Sequence, residues 1–146
     1  MKHARWTHRF EQLTEVSPEQ LWPVLADVAR WPELDRNIDW LRIAEAPAPG
    51  VRFVLKPRGG PRLSFTIGLF EAPGRYSDIC QLLLARMHTR HSLQPADRGT
   101  RIVVEIEIEG PLARVWGWLV GRRHAAGLPA QTERFIVGAR ARSPRT

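Results

Sequence analysis

The chain has 146 residues, enough for a single domain, spanning 1–146, with a hydrophobic core of its own. A lone cysteine, Cys80, excludes a disulfide framework and a thiolate metal cluster, and no apolar run is long enough to cross a bilayer as a helix. The net charge of +7 raises nucleic acid as a partner, but the 22 basic residues are spread along the chain, with no dense cluster beyond Arg122-Arg123 and the RARSPR tail. A solvated basic surface is the expectation, with no nucleic-acid partner.

In chain order, Arg5 to Leu13 alternates, with Trp6, His8, Phe10 and Gln12 on one side and Arg5, Thr7, Arg9 and Glu11 on the other, the pattern of a half-buried strand. The start MKHARWTHRF lacks the apolar stretch of a secretory leader, so a cytoplasmic protein is expected. Ser17-Pro18-Glu19-Gln20 is a capping box with proline at the first helical position, launching a helix through Leu21, Trp22, Leu25 and Val28. Trp31-Pro32 ends it and starts a second short helix near Glu33 to Arg36.

Strands follow at hairpin spacing: 39–46, 51–57, 62–71, 76–85, 86–94 and 101–109, punctuated by Pro47-Ala48-Pro49-Gly50, Arg58-Gly59-Gly60-Pro61, Pro73-Gly74 and Asp97-Arg98-Gly99. The junction between the strands ending at Ala85 and starting at Arg86 has no turn signal. In the last strand Ile102, Val104, Ile106 and Ile108 face one way and Glu105, Glu107 and Glu109 the other. An acidic row needs cationic neighbours. Arg5 and Arg9 of the first strand and Arg86 and Arg90 of the preceding one supply them if those two strands flank the last. Trp6, His8 and Phe10 then share an inner face with Met87, Thr89, His91 and Leu93.

From Gly110-Pro111 onward the chain reads as one long helix. A helical wheel from Leu112 puts Val115, Trp116, Leu119, Val120 and Ala126 on the buried arc, with Arg114, Trp118, Arg122 and Ala125 opposite. Pro129 is expected to interrupt or kink it, with Phe135, Ile136 and Ala139 on the buried side of the second half. The last few residues are expected to be disordered.

This order, and the segments that mark it, resemble the START-like superfamily, in particular its polyketide cyclase/dehydrase and lipid-transport members. Ser17-Pro18-Glu19-Gln20-Leu21-Trp22, Leu25-Ala26-Asp27-Val28 and Trp31-Pro32-Glu33 resemble the opening of bacterial members, with Leu34 where a second tryptophan is common. Gly50, Pro57-Arg58-Gly59-Gly60-Pro61, Gly99-Thr100-Arg101-Ile102-Val103, Gly110-Pro111-Leu112 and Gly127-Leu128-Pro129 resemble later segments of the same group. The resemblance implies an α+β helix-grip fold: a curved antiparallel sheet of seven strands wrapped around a long C-terminal helix, with two short helices after the first strand. It also implies a cavity between sheet and helix for a hydrophobic small molecule such as a lipid, polyketide or isoprenoid.

The expected lining is Trp22, Phe53, Phe65, Met87, Ile106, Trp116, Leu119 and Val120, each of which would serve equally in a packed core. Arg123 falls near the centre of the apolar arc, where it either anchors an acidic ligand group or snorkels to water. His8 and His91 share the inner face and are the candidate acid–base residues of a cyclase or dehydratase acting on a keto-enol substrate, although no inward carboxylate is assigned to orient them. His88 and His91 fall on opposite faces and cannot share an ion, so neither metal nor cofactor is expected. Cys80 has no activating partner. Trp118, opposite Trp116, marks an exposed apolar spot suited to a homodimer contact, a transient membrane-surface contact or an interaction module with no working cavity.

Overall fold

The computed structural model describes residues 4–142. The expected disorder of the last residues lies outside that span. Strand β1 (Arg5–Thr14) is followed by α1 (Pro18–Ala26), a 3-10 turn (Val28–Arg30) and α2 (Trp31–Leu34). A meander of β2 (Ile38–Ile43), β3 (Arg52–Pro57), β4 (Leu63–Glu71), β5 (Arg75–Leu82), β6 (Ala85–Ala96) and β7 (Gly99–Glu109) comes next. The chain closes with α3 (Ala113–Trp116), one π-helical segment (Gly117–Gly121) and α4 (Arg122–Arg142). All seven strands form one antiparallel sheet in the order β1-β7-β6-β5-β4-β3-β2, so this is the α+β helix-grip architecture.

Short-range chemistry places the small helices. Ser17 caps α1: its hydroxyl accepts from the Gln20 backbone N–H at 3.2 Å, while the Gln20 carboxamide oxygen accepts from the Ser17 N–H at 3.1 Å. Such a cap is worth about 1 kcal/mol. The Trp31 indole N–H donates to the Leu25 carbonyl at 3.0 Å, folding α2 back onto α1.

β7 pairs with β1 and β6 in the register that the charge pattern requires, with Arg9 and Arg90 both opposite Glu105 and Arg5 and Arg86 both opposite Glu109. Side-chain contacts run both across and diagonally: Arg5 pairs with Glu107 at 3.1 Å, Arg9 with Glu105 at 3.5 Å and Arg90 with Glu107 at 3.2 Å, while His88 Nε2 is hydrogen-bonded to Glu109 at 3.1 Å. Each has at least one solvent-exposed partner and contributes little stability on its own. Their weight is in register, because a one-residue slip would turn these carboxylates inward.

β5 and β6 meet through Leu83-Leu84, with Leu84 in the left-handed region at φ 52°. A leucine is an unusual occupant of that conformation, which is why the junction carries no turn signal.

The C-terminal helix differs from its expected course in two ways. Pro129 lies inside unbroken helix, exposed, with its ring on the outer side. The irregularity lies earlier, in the π segment, where Gly117 and Gly121 rest on the Trp6 ring so closely that a Cβ would come within 2.5 Å and 2.6 Å of its atoms. A π turn takes an extra residue, so the helix beyond it is rotated by about one residue relative to a regular wheel. Val115, just before the segment, and Leu119, within it, stand outside at 50% and 46% exposure, because the small residues Ala113, Gly117 and Gly121 take the buried side. Beyond the segment, Leu128, Thr132, Ile136 and Ala139 are buried and Phe135 is partly so.

Candidate functional site

The inner face of the sheet beneath α4 is apolar except at one place. On β5 the alternation sends Tyr76, Asp78, Cys80 and Leu82 inward, and all four are buried. On β6 the inward set is Met87, Thr89, His91 and Leu93. Pairing brings these into two rows running across the strands. Asp78 lies opposite Thr89, Thr89 opposite Ile106 and Ile106 opposite His8. In the next row Tyr76 lies opposite His91, His91 opposite Val104 and Val104 opposite Phe10. From above, α4 contributes His124 to the group, beside His91.

The Tyr76 hydroxyl donates to Asp78 Oδ2 at 2.9 Å. Its ring meets the His91 imidazole edge-on at 5.7 Å and Trp31 at 5.4 Å. Among the described residues, Asp78 Oδ1 and His91 Nδ1 are fully shielded polar atoms without a hydrogen-bond partner. Two orphaned atoms in neighbouring rows of the sheet are costly in a packed interior and point to a site shaped for polar contact with something else.

The environment moves the titrations in opposite directions. Burial pushes the Asp78 carboxyl up to about 7, although the Tyr76 hydrogen bond pulls the other way. Burial, then the neighbouring His124, pulls His91 down to about 3; burial and His8 bring His124 down to about 4. Near neutrality the group therefore contains a carboxyl poised between its two forms beside two neutral imidazoles. Burial and the proximity of Asp78 lift the Cys80 thiol to about 12, so it stays protonated and unreactive.

A small cavity of about 20 Å³ lies against His91, walled by Leu21, Leu25, Val104, Thr132 and Phe135 among others. That is room for about one water. Ligand pockets are roughly 300–1,000 Å³, so a lipid- or polyketide-sized guest does not fit within this cavity as it stands.

The sequence-derived lining is distributed unevenly. Phe53 and Phe65 are buried and stacked at 5.0 Å, and Trp22 is buried against Phe70 at 5.2 Å. Met87 is buried opposite Cys80, and Ile106 lies between His8 and Thr89. Trp116 and Val120 are half-buried, the Trp116 indole donating to the Leu83 carbonyl at 2.8 Å. Leu119 and Arg123 are exposed. Arg123 reaches sideways to donate to the Arg58 carbonyl at 3.2 Å, so the residue that snorkels is Arg123 and the one turned toward the sheet is His124. His8 and His91 do share the inner face, and His88 faces outward to Glu109.

Asp78 and His124 were the residues sequence reasoning missed. The alternation Tyr76-Asp78-Cys80-Leu82 carries the signal for Asp78. His124 had none, because it appears on the inner side only after the π turn. Among the described residues no three His, Cys, Asp or Glu side chains gather as ligands for a metal ion.

A family model described as polyketide cyclase / dehydrase and lipid transport matches residues 7–135. Norcoclaurine synthase from Thalictrum flavum, solved in complex with dopamine and hydroxybenzaldehyde, superposes with a TM-score of 0.77 at 12% identity, over 99% of this chain and 91% of its own. A protein from Thermus thermophilus gives 0.74 at 14% identity, over 95% and 100%. The di-domain ARO/CYC StfQ of the steffimycin biosynthetic pathway gives 0.76 at 12% identity, over 94% of this chain and 51% of that one. At such identities the likeness is one of fold. No curated protein sequence matches the chain.

Proposed function

Because the chain belongs to the polyketide cyclase/dehydrase and lipid-transport family, whose members bind or cyclise hydrophobic molecules, we propose that it takes up a hydrophobic small molecule bearing an oxygen function. This molecule lies between the sheet and α4, with its oxygen held by Asp78 and His91. The two orphaned buried atoms, Asp78 Oδ1 and His91 Nδ1, carry this reading. A wholly apolar guest would leave both unsatisfied, at about 1–3 kcal/mol each. A carbonyl satisfies both where each atom carries a proton, and a hydroxyl satisfies both where only one of them does. Among the described residues no helix is long and apolar enough to cross a membrane.

The same pair favours a second reading, in which the bound molecule is also transformed. Tyr76 occupies Oδ2, so the acid proton of Asp78 sits on Oδ1. Given to a ligand carbonyl oxygen while neutral His91 Nδ1 removes a proton from the adjacent carbon, it yields an enol with the proton count unchanged. That is the step on which cyclisation and dehydration of keto-enol substrates depend.

Native mass spectrometry of the protein as purified, with solvent extraction of whatever is bound, tests the first reading. An oxygenated apolar species is expected, depleted in His91→Leu. A clean mass together with failure to take up 1-anilinonaphthalene-8-sulfonate would refute it. For the second reading, Asp78→Asn and His91→Gln should abolish turnover of the extracted compound while retaining it; undiminished turnover in either would sink that mechanism.

A further inference from the structure

On the outer side of α3 and the π segment lies apolar surface that the fold leaves uncovered. Leu83, Leu84, Val115, Trp118 and Leu119 are exposed by 70%, 58%, 50%, 61% and 46%. They lie on two adjoining elements, the β5–β6 turn and the start of the C-terminal helix. The Leu83 carbonyl accepts from the Trp116 indole and the Leu84 carbonyl from the Leu112 N–H at 3.1 Å, which clamps the β5–β6 turn against the helix start. Val115, Trp118 and Leu119 follow at spacings of three and four residues on the same side. Leu84 also holds a left-handed backbone that glycine or asparagine would adopt with less strain. A strained, exposed leucine at a turn tip points to use of its side chain rather than to folding.

The rim of this patch is cationic. Arg122 lies over the Trp118 ring at 5.1 Å, and Arg114 and Arg123 are exposed on the same stretch of helix. Between Glu109 and Glu133 there is no acidic residue, and none between Leu82 and Ala96. Among the described residues, Arg114, Arg122 and Arg123 form no ion pair. A second copy is a poor occupant, because a two-fold contact through this patch would set these arginines against their own counterparts. An anionic bilayer surface complements it: tryptophan and leucine suit the boundary between headgroups and acyl chains, and arginine suits lipid phosphate.

We propose that the β5–β6 turn and the outer face of α3 and the π segment form a docking surface for anionic phospholipid bilayers, with Leu83, Leu84 and Trp118 inserted and the arginines on the phosphates. The test is co-sedimentation of the full chain with vesicles of phosphatidylcholine alone and of phosphatidylcholine mixed with phosphatidylglycerol. Binding is expected on the mixed vesicles, weakening as salt rises and by about fivefold for each of Arg114→Gln and Arg122→Gln. Trp118→Ala and Leu84→Asn, both at exposed positions, should weaken it by roughly tenfold with the circular dichroism spectrum unchanged. Equal uptake by neutral vesicles, or full binding by Trp118→Ala, would overturn the proposal. So would an absence of vesicle binding alongside a dimer, seen by sedimentation velocity, that Trp118→Ala dissolves.

Discussion

Asp78→Asn is the substitution that bears most directly on the buried polar cluster. The carboxyl is 4% exposed, and burial moves its pKa from an ordinary 3.8 to about 7. Below 3.8 it is neutral in the folded and unfolded chains alike. As pH rises toward 7 the unfolded chain gives up the proton and the folded chain keeps it, so stability falls across that interval and levels off above it. At 1.36 kcal/mol per pH unit, the accumulated penalty is at most roughly 4 kcal/mol at pH 8. Asparagine cannot ionise, yet its carboxamide oxygen still accepts from the Tyr76 hydroxyl. Urea unfolding of both proteins from pH 4 to pH 9 should give near-equal stabilities at the acid end. The variant should then gain steadily, by about 2–4 kcal/mol at pH 8. A difference that does not change with pH would show that Asp78 is not held neutral by burial, and the acid role assigned to it would fall with that.

The two imidazoles act with the opposite sign. With His91 and His124 lowered to about 3 and about 4, the stability from keeping them neutral is complete above about 6.5 and is lost as pH falls through 4. Two such groups outweigh Asp78, leaving a net loss of at most about 1.4 kcal/mol per pH unit on acidification between 6 and 4, and the double variant His91→Gln/His124→Gln should reverse that limb in the same unfolding series. Gly121→Ala should cost about 1–3 kcal/mol, since its Cβ would lie 2.6 Å from the Trp6 ring. Trp6→Leu should relieve most of that, and additive losses in the double variant would refute the contact. Arg123→Ala should change thermal stability by less than about 0.5 kcal/mol and leave the affinity for an acidic probe unaltered, because the side chain lies outside on the Arg58 carbonyl; a large loss of probe binding by calorimetry would restore it to the site.

How far the fold could be read depended on how local the cause of each element is. The α1 cap, the strand alternations and the acidic row of β7 are set by neighbouring residues or by charge matching across one ladder. The register of β1, β7 and β6 followed from Glu105, Glu107 and Glu109 seeking Arg5, Arg9 and Arg90. The Leu83-Leu84 turn was less legible, because its conformation is imposed by the strands on either side and not by its own residues.

The sequence by itself determined the helix-grip order, the family and the inner-face placement of His8 and His91, since these depend on period, punctuation and alternation. Only the tertiary structure decided which helix residue joins them. The helix contacts β1 through Gly117 and Gly121, whose lack of side chains lets Trp6 approach and which a hydrophobic wheel cannot see. The π turn at that contact advances the phase, turning Arg123 out and His124 in. Tyr76 and Asp78 share a face by simple alternation along β5, but His91 joins them only through the pairing of β5 with β6.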